Sequence, residues 1–259
     1  MLGKINISRT LSALATILLG LTMSACSTDR TEQETLQLWF PNQGLHQAMT
    51  TSELGDAAQS SDEATLQLGI RLMNGDRTER DLDRGYKIFK SLAEAGDHRA
   101  QFFLGTAYVQ GAGVEADEAI ATDWFKKSAE GGYDMGQYWY GFMLSRGRGV
   151  DGEDWKTAIK WFRKAAKQGH PNALFSMGEI YESCRAGVDR DFEQAASWYR
   201  RADGPQDNMA ARFNMRRLID LGLVEWQPGD PGEAPVALVG MDDASFTACA
   251  PGAKDPLLE

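Results

Sequence analysis

"WFRKAAKQG", residues 161–169, decides how this chain is read, because nearly the same phrase stands at residues 124–132 ("WFKKSAEGG"). Its front half returns at residues 198–202 ("WYRRA"). Trp124, Trp161 and Trp198 lie 37 residues apart each time, and Ile88 fills the same slot one unit earlier. A second ladder runs alongside: Gly69, Gly105, Gly141 and Gly178, at spacings of 36, 36 and 37. A phrase recurring at a fixed period is one structural unit restacked along the chain.

The anatomy of the unit follows from its periodicities. In "AQFFLGTAY" (100–108), Ala100, Gln101, Leu104, Gly105 and Tyr108 fall on one side at about 100° per residue, the mark of a helix. Small residues at the glycine and alanine slots let a neighbouring helix approach closely. In "AIKWFRKAAKQG" (158–169), Ala158, Trp161, Phe162 and Ala165 face inward, while Lys160, Arg163, Lys164 and Lys167 face water. Glycine turns join the two helices: "QGAGVEAD" (110–117), "RGRGVDGED" (146–154) and "RAGVDRD" (185–191). Gly96, Gly132 and Gly169 close the units, where a left-handed backbone past a helix end costs glycine little. No unit can bury its faces alone, so stacking supplies the core.

The pattern A-x-F-x-L-G-x-x-Y, then G-x-G-V-x-x-D, then W-[FY]-x-[KR]-A-A-x-x-G resembles the Sel1-like repeat, a relative of the tetratricopeptide repeat. The resemblance covers about residues 64–204 in four copies, and implies an all-α, right-handed α/α solenoid that binds proteins. The first unit lacks the glycine turn ("NGDRTERD") and the tryptophan. The fourth carries an extra residue near Cys184. "MAARFNMRRLIDLGL" (209–223) fits a final first-type helix with Arg216 in the glycine slot, as expected of a capping end. The organisation expected is a signal segment 1–25, an anchor and polar tether 26–60, a solenoid 61–224, and a proline-rich tail 225–259.

Residues 1–25 have the layout of an export signal: Lys4 and Arg9, then the short apolar run "LSALATILLGLTM". The ending "MSAC" resembles a bacterial lipoprotein signal, which implies cleavage before Cys26 and lipid on its sulfur. Ser27 then resembles a residue permitting outer-membrane sorting. The expected location is the cell envelope, lipid-anchored and facing the periplasm. Losing Lys4 and Arg9 takes the formal charge from −10 to −12. Cys184 and Cys249 remain, and an oxidising compartment allows a disulfide between them. The apolar island "LQLWF" (36–40) and the strand-like "APVALVG" (234–240) lie in the flanks.

Catalytic constellations are absent from the sequence. The acidic balance argues against nucleic acid, which needs a basic stripe. His46, His98 and His170 are scattered, and no H-x-x-x-H or C-x-x-C spacing suggests a metal. The glycine turns lack the preceding strand and the G-K-[ST] of a phosphate loop. Neither a cofactor nor a small-molecule substrate is therefore expected, nor an enzyme. The pairs Lys126/Lys127, Arg163/Lys164 and Arg200/Arg201 sit on the solvated side of second helices.

One feature exceeds what a core needs. On the face opposite the core lie Phe102, Phe103 and Thr106 in the second unit, and Tyr138, Trp139 and Phe142 in the third. The family pattern also allows Phe102, Tyr138 and Phe175 to pack between adjacent first helices. Phe103, Trp139 and Phe142 fit that less well, so an exposed aromatic patch on the concave wall is expected, suited to a protein or peptide. The resemblance leaves three roles open: a tethered interaction scaffold, an immunity protein blocking a secreted periplasmic toxin or phospholipase, or an accessory in envelope assembly or secretion. Cysteine-rich relatives linked to penicillin binding carry a disulfide in each unit, and only Cys184 lies within the repeats here.

Overall fold

The computed structural model describes residues 50–75, 79–184, 187–204 and 208–232, all within the compact unit Ala48–Glu259. The signal segment, Cys26, the 36–40 island, Cys249 and the 234–240 stretch lie outside these residues. Among the described residues there are ten helices and no strand. A short α1 (Thr51–Ala57) leads in. Four pairs follow: α2 (Asp62–Asn74) with α3 (Leu82–Glu94), α4 (His98–Gln110) with α5 (Glu118–Glu130), α6 (Asp134–Arg146) with α7 (Trp155–Lys167), and α8 (Pro171–Ser183) with α9 (Phe192–Ala202). Then α10 (Met209–Asp220) closes the series.

The second helices start where the sequence repeats aspartate. Asp81, Asp117, Asp154 and Asp191 each accept from the backbone N–H three residues on, at Arg84, Ile120, Thr157 and Gln194. Such a cap satisfies an orphan donor and contributes about 1 kcal/mol. The helices stop at Gly96, Gly132 and Gly169, whose φ of 99°, 90° and 87° is the left-handed backbone expected there.

What locks the pairs together is a glycine facing a ring. A Cβ built on Gly69 would stand 2.7 Å from the Phe89 ring, and one on Gly105 2.7 Å from Phe125. On Gly141 it would stand 3.0 Å from Phe162, and on Gly178 it would run into Tyr199. All four rings are buried. They sit one residue after the tryptophan slot, so the deeper anchor is the neighbour of the residue that marks the repeat in sequence. Trp124, Trp161 and Trp198 are only half-buried, which corrects the inward placement of Trp161. Each carries a cation from the next turn: Lys127 at 3.7 Å, Lys164 at 3.8 Å and Arg201 at 4.5 Å from the ring centroid.

Consecutive pairs are tied by side chains reaching the end of the preceding second helix. Buried Gln101 donates to the Ala93 carbonyl at 3.2 Å, and Gln137 to the Ala129 carbonyl at 3.4 Å. Leu174 takes that slot in the fourth unit, and Arg201 donates instead to the Ala166 carbonyl. Ordered packing begins before the first repeat: Leu54 of α1 is fully buried against Ala64, Leu68 and Leu72. After α10 the described chain has no further helix, as the prolines require.

The glycine lock sets a testable contrast. Gly105→Ala overpacks against Phe125 and is expected to lose about 1–3 kcal/mol in denaturant unfolding. Gly55→Ala in α1, with nothing within 4 Å of its new Cβ, is expected to gain up to about 1 kcal/mol. Equal effects at the two sites would refute the lock.

Candidate functional site

First helices stand side by side, with α4 packed directly on α6, so their outward faces form one wall. The position three residues before each glycine slot runs along that wall as Leu66, Phe102, Tyr138, Phe175 and Phe213. Its burial fades toward the C-terminal end. Leu66 and Phe102 are sealed, Tyr138 and Phe175 are half-buried, and Phe213 is 70% exposed.

Two residues expected to be exposed on this wall are not. Phe103 and Trp139 are each only 6% exposed. Phe103 stacks on Phe89 of α3 at 5.0 Å, and Trp139 on Phe125 of α5 at 5.8 Å. The slot two before the glycine leans back onto the preceding unit's locking ring, which the wheel of a single helix does not reveal. Phe102 packs between helices, against Phe125 and Tyr133. Tyr138 and Phe142 do stay on the open wall.

There they line a cavity of about 290 Å³ together with Phe175, Trp155, Glu179 and Asn208. Phe142 leans on Trp139 and carries the Arg146 guanidinium 5.7 Å from its ring centroid. Tyr138 stacks on the His170 ring at 4.8 Å, beside Asn172 and Ser176 in the cavity lining. Burial pushes its phenol up to about 12. Beyond the cavity, Met209 and Phe213 of α10 are 77% and 70% exposed. The sequence signal for Phe213 was its register: it precedes Arg216, in the glycine slot, by three residues.

Among the described residues no group of three or more His, Cys, Asp or Glu side chains could hold a metal. The wall offers rings, hydroxyls and amides beside one cation and one anion, Arg146 and Glu179. That arrangement suits shape and apolar surface. Cys184, at the end of α8, is disulfide-bonded, and its expected partner Cys249 lies outside the described residues.

The model of the Sel1 repeat matches at residues 62–97, 98–133, 134–170 and 171–202, the four helix pairs just described. The chain belongs to the Sel1 repeat family. Such repeats generally mediate protein–protein interaction and serve as non-catalytic scaffolds. Among solved structures, c5321, a protective antigen of uropathogenic Escherichia coli strains with an SLR fold, is similar at 35% identity and a TM-score of 0.61. That match covers 67% of this chain and 37% of the other, so this chain spans little more than a third of the E. coli protein. A Sel1 repeat protein from Oxalobacter formigenes is similar at 25% identity and a TM-score of 0.59, over 66% and 75% of the two chains. No protein of curated function matches the sequence.

His170 gives this Sel1 wall a pH dependence. Its Nδ1 accepts from the Ala173 N–H at 3.3 Å as the cap of α8, and it is 3% exposed. Burial pushes its pKa down to about 4, against a smaller opposing pull from Asp134. The unfolded chain takes up the proton near pH 6.5, so stability is complete above that and falls toward pH 4. The loss is on the order of 3 kcal/mol. His170→Asn keeps a capping acceptor and removes the titration. Thermal melts from pH 7 to 4 should show the wild type losing more than the variant; parallel curves would refute the assignment.

Proposed function

We propose that this protein is a non-catalytic adaptor of the bacterial envelope, anchored by lipid on Cys26 and facing the periplasm from the outer membrane. It holds a protein or peptide partner on the wall of first helices. The observation that carries this reading is the run of rings left open after the core is filled: Tyr138, Phe142, Phe175 and Phe213. A stack that only had to fold would gain nothing from a 70% exposed phenylalanine. Clustered exposed aromatics are the usual anchors of a protein interface. The anchor rests on the sequence Met23–Ser24–Ala25–Cys26 behind a short apolar run.

The identity of the partner separates two finer roles. A secreted toxin or phospholipase effector would make this an immunity protein. A component of secretion or surface assembly would make it an accessory of that machinery.

Capture from an envelope extract tests the wall. Phe142→Ala combined with Phe213→Ser is expected to cut retention of the partner at least about tenfold while the melting temperature stays within a few degrees. Trp139→Ala, by contrast, should chiefly lower the melting temperature, as expected for a buried ring. Wild-type retention by the folded double variant would refute the wall as the binding site.

A further inference from the structure

The wall opposite the partner site is built by second helices, and one of them differs from the rest. Helix α7 carries Lys156, Lys160, Arg163, Lys164 and Lys167 and no acidic residue. At about 100° per residue these five side chains fall within an arc of roughly 100°, directly opposite buried Ala158, Phe162 and Ala165. The four lysines are exposed and none is in an ion pair among the described residues. Other helices balance their charge. Helix α5 sets Glu118, Asp123 and Glu130 against Lys126 and Lys127. In α10, Arg212, Arg216 and Arg217 are paired with Asp203, Asp220 and Glu182. The acids Asp151, Glu153 and Asp154 precede α7, and Asp154 at its N-cap feels Lys160 and Lys156 at the start of the stripe.

We infer that the outer face of α7 is the surface this protein turns to the membrane, docking on anionic phospholipid headgroups. Charge complementarity carries the assignment. The chain is acidic, with a formal charge of −10, so an anionic leaflet repels it as a whole, and the stripe is a run of five cations set against that balance. Lysines dominate it four to one, and mobile ammonium groups suit a fluid array of phosphates. A fixed protein carboxylate would favour the rigid fork of arginine. The half-buried indole of Trp161, with Lys164 above it, supplies the amphipathic ring found at membrane interfaces.

The inference rests on the anchored reading and adds an orientation to it. A lipid on Cys26 by itself sets no orientation of the repeats on the bilayer. Docking through α7 selects one, turning the aromatic wall outward to the periplasm.

Because Ala48–Glu259 is a compact unit with its own core, it can be tested without an anchor. It is expected to float with phosphatidylglycerol vesicles at low salt, to stay behind with phosphatidylcholine vesicles, and to dissociate at high salt. Lys160→Glu with Lys164→Glu and Lys167→Glu should weaken binding at least about tenfold, with an unchanged circular dichroism spectrum and melting temperature. The matching Lys→Gln variant, which only neutralises charge, should fall between. Failure to float with phosphatidylglycerol overturns the inference. So does equal flotation of the folded Glu variant, or stripe-dependent binding to polyglutamate without binding to vesicles. Mass spectrometry of Cys26 separates the two readings: a bare thiol refutes the anchor and leaves the vesicle result standing, and the Glu variant should still capture the partner.

Discussion

The stack depends on how near two helices can come at one glycine. Each first helix offers a backbone surface without a side chain at Gly69, Gly105, Gly141 or Gly178, and the second helix sets a ring against it. The closeness is what makes the contact worthwhile: dispersion and apolar burial grow as the gap shrinks, and even one methyl group has nowhere to go. The same approach sets the rest of the helix. With the ring pinned inward, the preceding tryptophan is carried to the rim, where it cannot be fully covered and finds a cation instead. With the second helix held close, its final carbonyls come within reach of Gln101 and Gln137 from the next unit. Within-unit packing and between-unit coupling are thus consequences of one distance.

That constraint explains what could be read in the sequence. Glycine, aspartate and tryptophan mark the period because each has a local reason to be there: close approach, a helix cap, and a rim position. The four helix pairs followed directly. The faces did not follow as cleanly. Phe103 and Trp139 sit on the outward side of an isolated helix, yet each is covered by the locking ring of the unit before it. A helical wheel knows only its own helix, whereas burial in a solenoid depends on the tilt between neighbours. The same blindness hid α1, whose single buried Leu54 leaves too little pattern to stand out in a polar stretch.

The fading burial along the wall has a matching cause. Toward the N-terminal end, the first unit, with Leu66, lies between α1 and the second unit, and the second unit, with Phe102, has a repeat on either side. At the other end α10 has no second helix behind it among the described residues, so the same register that seals Phe102 leaves Phe213 open. The position that a repeat uses as core is left bare where the described repeats stop.

An open end must be held by something other than the lattice, and the fourth unit departs from the pattern in ways that provide it. Gly75, Gly111 and Gly147 cap their first helices in the left-handed region, but the equivalent residue is Cys184, with φ of 58°. A side chain there costs on the order of 1 kcal/mol, so the backbone alone would not select cysteine; its disulfide gives it a reason. The locking ring of this unit is also a tyrosine. The Tyr199 hydroxyl donates to Glu182 at 2.9 Å and accepts from Asn214 of α10, and Arg217 of α10 pairs with the same Glu182. Leu174 abandons the glutamine tie used upstream, and the polar network joins α8, α9 and α10 in its place. Polar ties stand where a fifth pair would have stacked, and they hold α10 while its aromatic edge stays bare.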